Sequence, residues 1–97
     1  MKSLGVFMLL EELMRTRTGR KVTAKVTKEG ETIVSCKVSE ETAQTFVCVS
    51  VENNGDIWDV FICPCEDFDA KNLNYECAMQ IGHNMKSKQV LEVLKKL

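Results

Sequence analysis

Cys63-Pro64-Cys65, Cys77 and His83 are the residues of this chain whose types and spacing suit chemistry. Thiolates and an imidazole are ligands that zinc prefers, and closing four of them around one ion locks together the segments that carry them. Cys63, Cys65, Cys77 and His83 therefore form a candidate set of three cysteines and one histidine. The set carries one condition. Residues six apart on a continuous helix differ in direction by about 240°, so Cys77 and His83 converge only if the helix breaks near Gly82. The neighbouring thiols of Cys63 and Cys65 define an alternative, a thiol-dependent redox protein or enzyme. Glu66, Asp67 and Asp69 follow immediately. Their charge disfavours a thiolate and suits a bound cation. With a single histidine, no recognised nucleophile signature and no glycine-rich phosphate loop, the expectation is a protein that is not an enzyme.

A second group is cationic. Arg15, Arg17, Arg20 and Lys21, interleaved with Thr16 and Thr18 around Gly19, have the donors to grip a phosphate backbone, so they are the candidate nucleic-acid site. Cations at the end of a helix also offset its dipole, which is the simpler role for the same residues. Charge is uneven along the chain. Residues 1–40 carry eight Lys/Arg and five Glu, residues 41–84 one Lys and eight Asp/Glu, and residues 85–97 four Lys and one Glu. The ends are basic and the middle acidic, a pattern that suits either nucleic acid or a second protein surface.

The elements that must position these groups are legible from periodicity. Val6, Leu9, Leu10, Leu13 and Met14 have the spacing of one helical stripe over residues 4–14, with Gly19 as the residue that ends the helix. The period then changes to two. Val22, Ala24 and Val26 alternate with polar residues, a turn falls at residues 28–31, and Thr32, Val34, Cys36 and Val38 alternate again. A third strand spans residues 45–52, Asn54-Gly55 suits a hairpin turn, and a fourth strand spans residues 57–63 up to Pro64. The third and fourth strands are apolar on both faces. Either a partner covers the second face or these strands lie centrally in the sheet. Cys36 and Cys48 read as small buried apolar groups, and they become cross-strand neighbours if the second and third strands pair about residue 42. Asp69 caps a helix carrying Leu73, Cys77 and Ile81 and ending at Gly82; Ser87 caps a last helix with Val90, Leu91, Leu94 and Leu97 on one stripe. The expected fold is α+β: an N-terminal helix, a four-stranded antiparallel meander and two C-terminal helices in a two-layer sandwich, as one domain over residues 1–97.

The stretch from Phe46 to His83, with two apolar strands around Asn53-Asn54-Gly55, Trp58 before the exit and Cys63-Pro64-Cys65 at it, resembles the SWIM domain. That family is a small ββα zinc-chelating module with the pattern C-x-C, a spacer, then C-x-H. Cys63, Cys65 and Cys77 match its three cysteines, while Met79 stands at the histidine position and His83 lies four residues later. The resemblance implies zinc binding and a role in interaction with DNA, protein or recombination factors rather than catalysis.

Glu11 and Glu12 directly follow the apolar run 4–10, which argues against a signal peptide, and no stretch approaches the ~20 apolar residues of a membrane span. With 44% hydrophobic and 28% charged residues the chain is expected to fold, which excludes a disordered or fibrous protein. The odd count of five cysteines fits a reducing, cytoplasmic location. The expected function is a small intracellular interaction module that binds protein or nucleic acid, or associates with itself through the sheet, with zinc as its candidate cofactor.

Overall fold

A computed structural model describes residues 2–26, 30–39, 41, 43–51, 56–64 and 78–97. Among them the elements run α1 (Lys2–Thr18), β1 (Val22–Val26), β2 (Thr32–Lys37), β3 (Thr45–Ser50), β4 (Trp58–Cys63), β5 (Met79–Met85) and α2 (Ser87–Lys95). The strands form one antiparallel sheet in the order β1-β2-β3-β4-β5.

The α+β class and the meander hold, with two corrections. The sheet has five strands, because Met79 to Gly82, expected as the end of a helix, lie in β5. The start of that expected helix, residues 69–77, falls outside the described residues, and one C-terminal helix is described instead of two. Pairing with β5 satisfies the backbone groups on the outer edge of β4, a demand that the spacing of Leu73, Cys77 and Ile81 does not register. Gly82 fits this pairing for a steric reason: a Cβ there would lie 2.2 Å from Met85 Sδ and 3.3 Å from Val60 Cβ. The β4–β5 register shifts twice, and Asn84 has a φ of 51°, so the alternation that marks a strand is broken in the sequence itself.

The core follows from the strand period. Val22, Val34, Cys36, Phe46, Cys48, Trp58, Val60 and Ile62 line one face, where Leu10 and Met14 of α1 and Val90 and Leu94 of α2 pack on them. Ile33, Val47, Val49 and Cys63 are buried on the other face. The two-faced apolar pattern of the third and fourth predicted strands is thus accounted for by position: β3 is the middle strand, and Val47 and Val49 are 0% and 6% exposed within one chain. Register also separates the strand cysteines. β2 and β3 pair about residue 41, which sets Cys36 opposite Phe46 and Cys48 opposite Val34, so the two cysteines are diagonal neighbours.

α1 ends where the sequence places its stop. Gly19 adopts a φ of 72°, and its N–H donates to the Arg15 carbonyl at 3.0 Å. The hydroxyl of Thr18 donates to the Met14 carbonyl and accepts the Arg20 N–H at 3.3 Å. The start of α2 differs from expectation. Ser87 is its first residue rather than its cap, and its N–H and hydroxyl both donate to Asp56, a carboxylate from the β3–β4 connection. Trp58 Nε1 donates to the same carboxylate at 2.9 Å. Gln89 accepts the Lys86 N–H at 3.0 Å and completes the turn.

Candidate nucleic-acid interface

Three cationic side chains converge where α1 hands over to β1. Arg20 and Lys21 follow the helix stop, and Lys37 is the last residue of β2. With Thr18, Gly19, Val38 and Ser39 they line an open cleft of about 860 Å³. Val22 pairs with Cys36, so the next position along the hairpin sets Lys21 across from Lys37. Like charges directly opposite destabilise a strand pair, and an anion between them removes that cost. No carboxylate belongs to the lining among the described residues.

Arg20 is fixed in place. Its Nε and one Nη donate to the Val38 carbonyl at 3.1 and 2.9 Å, tying the loop after α1 to the end of β2. One carbonyl thus takes one side of the guanidinium, and the remaining N–H groups stay available to a ligand.

The other two predicted cations lie beside the cleft. Arg15 pairs with Glu11 one turn earlier and donates to the Val22 carbonyl at 3.2 Å, so it anchors α1 to β1. Arg17 is exposed on the last turn of α1. Of the four cations named from the sequence, Arg20 and Lys21 line the cleft, and Lys37, which the sequence reading does not include, joins them from a different strand. The signal that finds it is the hairpin register, since aligning the two alternating runs brings Lys37 opposite Lys21.

Of the predicted metal set, Cys63 and His83 belong to the described residues, and these two stand apart. Nδ1 of His83 lies 2.8 Å from Asp59 Oδ1, which also accepts the Asn84 N–H at 3.1 Å, on the β4–β5 edge. Cys63 is four residues further along β4, a separation of about 13 Å at the strand rise. Two ligands of one zinc ion lie within about 4 Å of each other. Cys65 and Cys77 fall outside the described residues. Among the described residues no group of three or more histidine, cysteine or acidic side chains gathers.

The thiols that are described sit in the core. Burial pushes the Cys36 thiol up to about 11, partly opposed by the positive charge of Arg20, and burial pushes the Cys48 thiol well above its ordinary value, with Cys36 adding to the effect. Cys63 is 4% exposed. A nucleophilic or redox cysteine needs a thiolate and access, and Cys36 and Cys48 have neither.

Compared with known protein families, curated proteins and solved structures, the chain matches none. No helix among the described residues is long and apolar enough to cross a membrane.

Proposed function

We propose that this domain is an interaction module that binds the phosphate backbone of nucleic acid at the cleft between the end of α1 and the β1–β2 hairpin. The observation that carries the reading is the convergence of Arg20, Lys21 and Lys37 on one open cleft, with no carboxylate in its lining among the described residues. Backbone binding of this kind rests on cations and counterion release, and it is independent of base sequence. Arginine held by a carbonyl and lysines on rigid strand ends suit a fixed phosphate position better than cations on a mobile tail.

The test separates binding from folding. Arg20 is a poor site for it, because reversing its charge also breaks the bond to Val38. Lys21→Glu with Lys37→Glu changes only exposed side chains. The expected result is loss of low-salt retention on immobilised single-stranded DNA with the melting temperature almost unchanged. Wild-type protein that passes through such a column unretained at low salt overturns the proposal.

A further inference from the structure

β1 bounds one side of the sheet, and the phase of its hydrogen bonding fixes which of its backbone groups are left over. In β2 the Thr32 N–H donates to Ser50 Oγ at 2.8 Å, and just after β2 the Val38 N–H donates to the Gln44 carbonyl at 3.0 Å, both toward β3. Backbone groups alternate in direction along an antiparallel strand, so Val34 and Cys36, which share that parity, also turn theirs to β3. Across the hairpin, Val26, Ala24 and Val22 stand opposite Thr32, Val34 and Cys36. These three residues of β1 therefore point N–H and C=O away from β2, while Thr23 and Lys25 make the bonds to it. The Val22 carbonyl agrees with this direction, since it accepts Arg15 of α1 at 3.2 Å. Among the described residues no strand pairs with the outward groups of Ala24 and Val26.

Side chains alternate as well. Val22 and Ala24 face the core beneath α1, and Val26 beyond them is 59% exposed. On the opposite face Lys21, Thr23 and Lys25 are all exposed, with Lys21 at the rim of the cleft. Along the described part of the hairpin, residues 20–26 and 30–38, the one carboxylate is Glu31, which lies past the last paired residue, Thr32, and has a partner of its own. Thr27, Lys28 and Glu29 of the turn fall outside the described residues. α1, on the core face, carries Glu11 and Glu12 beside Arg15 and Arg17. Lysines on an edge strand repel a second copy of that edge, and they leave its row of backbone groups open to a strand of opposite charge.

We infer that the outer edge of β1 is a docking site for an extended, acidic segment of a protein partner, which adds to the sheet as a further strand. Main-chain bonds to Ala24 and Val26 hold the segment, and the side chains beside them select it. Lys21 and Lys25 are four residues apart on one face, so the segment carries carboxylates four apart opposite them. Apolar residues at its alternate positions cover Val26. The site goes beyond the nucleic-acid reading and does not depend on it, although Lys21 is common to both.

Amide hydrogen exchange reads the edge residue by residue. In the free wild type the Thr23 and Lys25 amides are expected to exchange slowly and those of Ala24 and Val26 fast. Two synthetic peptides are then titrated, one bearing Val-Glu-Val-Thr-Val-Glu and the other Val-Lys-Val-Thr-Val-Lys between the same flanking residues. At about ten times its Kd the acidic peptide is expected to slow Ala24 and Val26 about tenfold, and the lysine peptide to leave them unchanged. Lys25→Glu is expected to lose the effect of the acidic peptide, while Lys88→Glu, at an exposed site on α2, keeps it and controls for net charge. Circular dichroism verifies each fold, and Lys25→Gln, expected to weaken the acidic peptide, replaces a Lys25→Glu variant that fails to fold. Ala24 and Val26 amides already slow in the free protein show an edge filled within the chain and overturn the inference. An acidic peptide without effect at these amides, equal slowing by both peptides, or equal loss in the Lys25 and Lys88 variants overturns it too. Lys37→Gln separates the two surfaces: it is expected to reduce retention on single-stranded DNA and to leave the peptide effect intact. Wild type that takes the acidic peptide but passes a DNA column unretained removes the cleft reading and keeps this one.

Discussion

Asp56 shows how much of this structure depends on a single carboxylate. It accepts the Trp58 indole N–H, the Ser87 N–H and the Ser87 hydroxyl, and so joins the base of β4 to the first turn of α2. Trp58 is fully buried and Ser87 is 3% exposed, so removing the acceptor takes the partner from three donors on two buried residues. An anion at a helix N-terminus is also favourable in its own right. Asp56→Ala is expected to cost about 2 to 3 kcal/mol of unfolding free energy in urea and to shift the emission of Trp58, the chain's single tryptophan. An unchanged midpoint with unchanged emission overturns this role. Local patterning does not reveal the contact. Ser87 has the type and place of a cap, and the group that caps through it stands 31 positions earlier.

The Cys36 thiol makes a second prediction at the same scale. Its pKa is pushed up to about 11 by burial, above the 9.0 of an exposed thiol. A group whose pKa is raised in the folded state contributes stability that is complete below its unfolded pKa and is lost as pH rises through the folded one. Stability should therefore be flat near neutrality and fall between about pH 9 and 11, by an amount on the order of 2 to 3 kcal/mol from this group. Cys36→Val keeps the volume and removes the titration. Its stability is expected to fall less than the wild type's over that window; equal losses in both proteins would falsify the assignment.

Elements differ in how well local sequence announces them. β1 and β2 are legible by their alternation, β3 and β4 as short apolar runs bounded by Asn54-Gly55 and Pro64, and the α1 stop because Gly19, without a Cβ, accepts a φ of 72° without strain. β5 is not legible. Two register shifts and the left-handed Asn84 break its period, and Ile81 falls on a helical spacing with Leu73 and Cys77. The candidate site shares this division: Arg20 and Lys21 stand together in sequence, whereas Lys37 joins them only through the hairpin register. Gly82 tests the β5 assignment. A side chain there meets Val60 Cβ and drives Met85 off the core, so Gly82→Val is expected to cost about 1 to 3 kcal/mol although valine favours strands in general. An unchanged urea midpoint would mean that Gly82 does not pack against Val60 and Met85, and would overturn its place in β5.

At the scale of the whole molecule the question is whether one chain is complete. The apolar strands that suggested a partner are buried on both sides within the single chain: Ile33, Val47 and Val49 on one face, Val34, Phe46 and Cys48 on the other. Among the described residues the sheet edges remain for self-association, and each is a poor template. β5 is interrupted by its register shifts and by Asn84, which prevent a continuous ladder with a second strand. β1 is regular, but it begins beside Lys21 and carries Lys25, so an antiparallel copy would bring four lysines together along one short edge. Among the described residues the exposed large apolar side chains, Val26, Val51, Met79 and Leu97, stand singly on four different segments. The protein is therefore expected to scatter light as a particle of about 11 kDa throughout the micromolar range. A mass of twice that value would show an edge in use. Lys25→Glu then decides between the edges: it places a carboxylate among the lysines and tightens a β1–β1 dimer, and it leaves a dimer built on β5 unaffected.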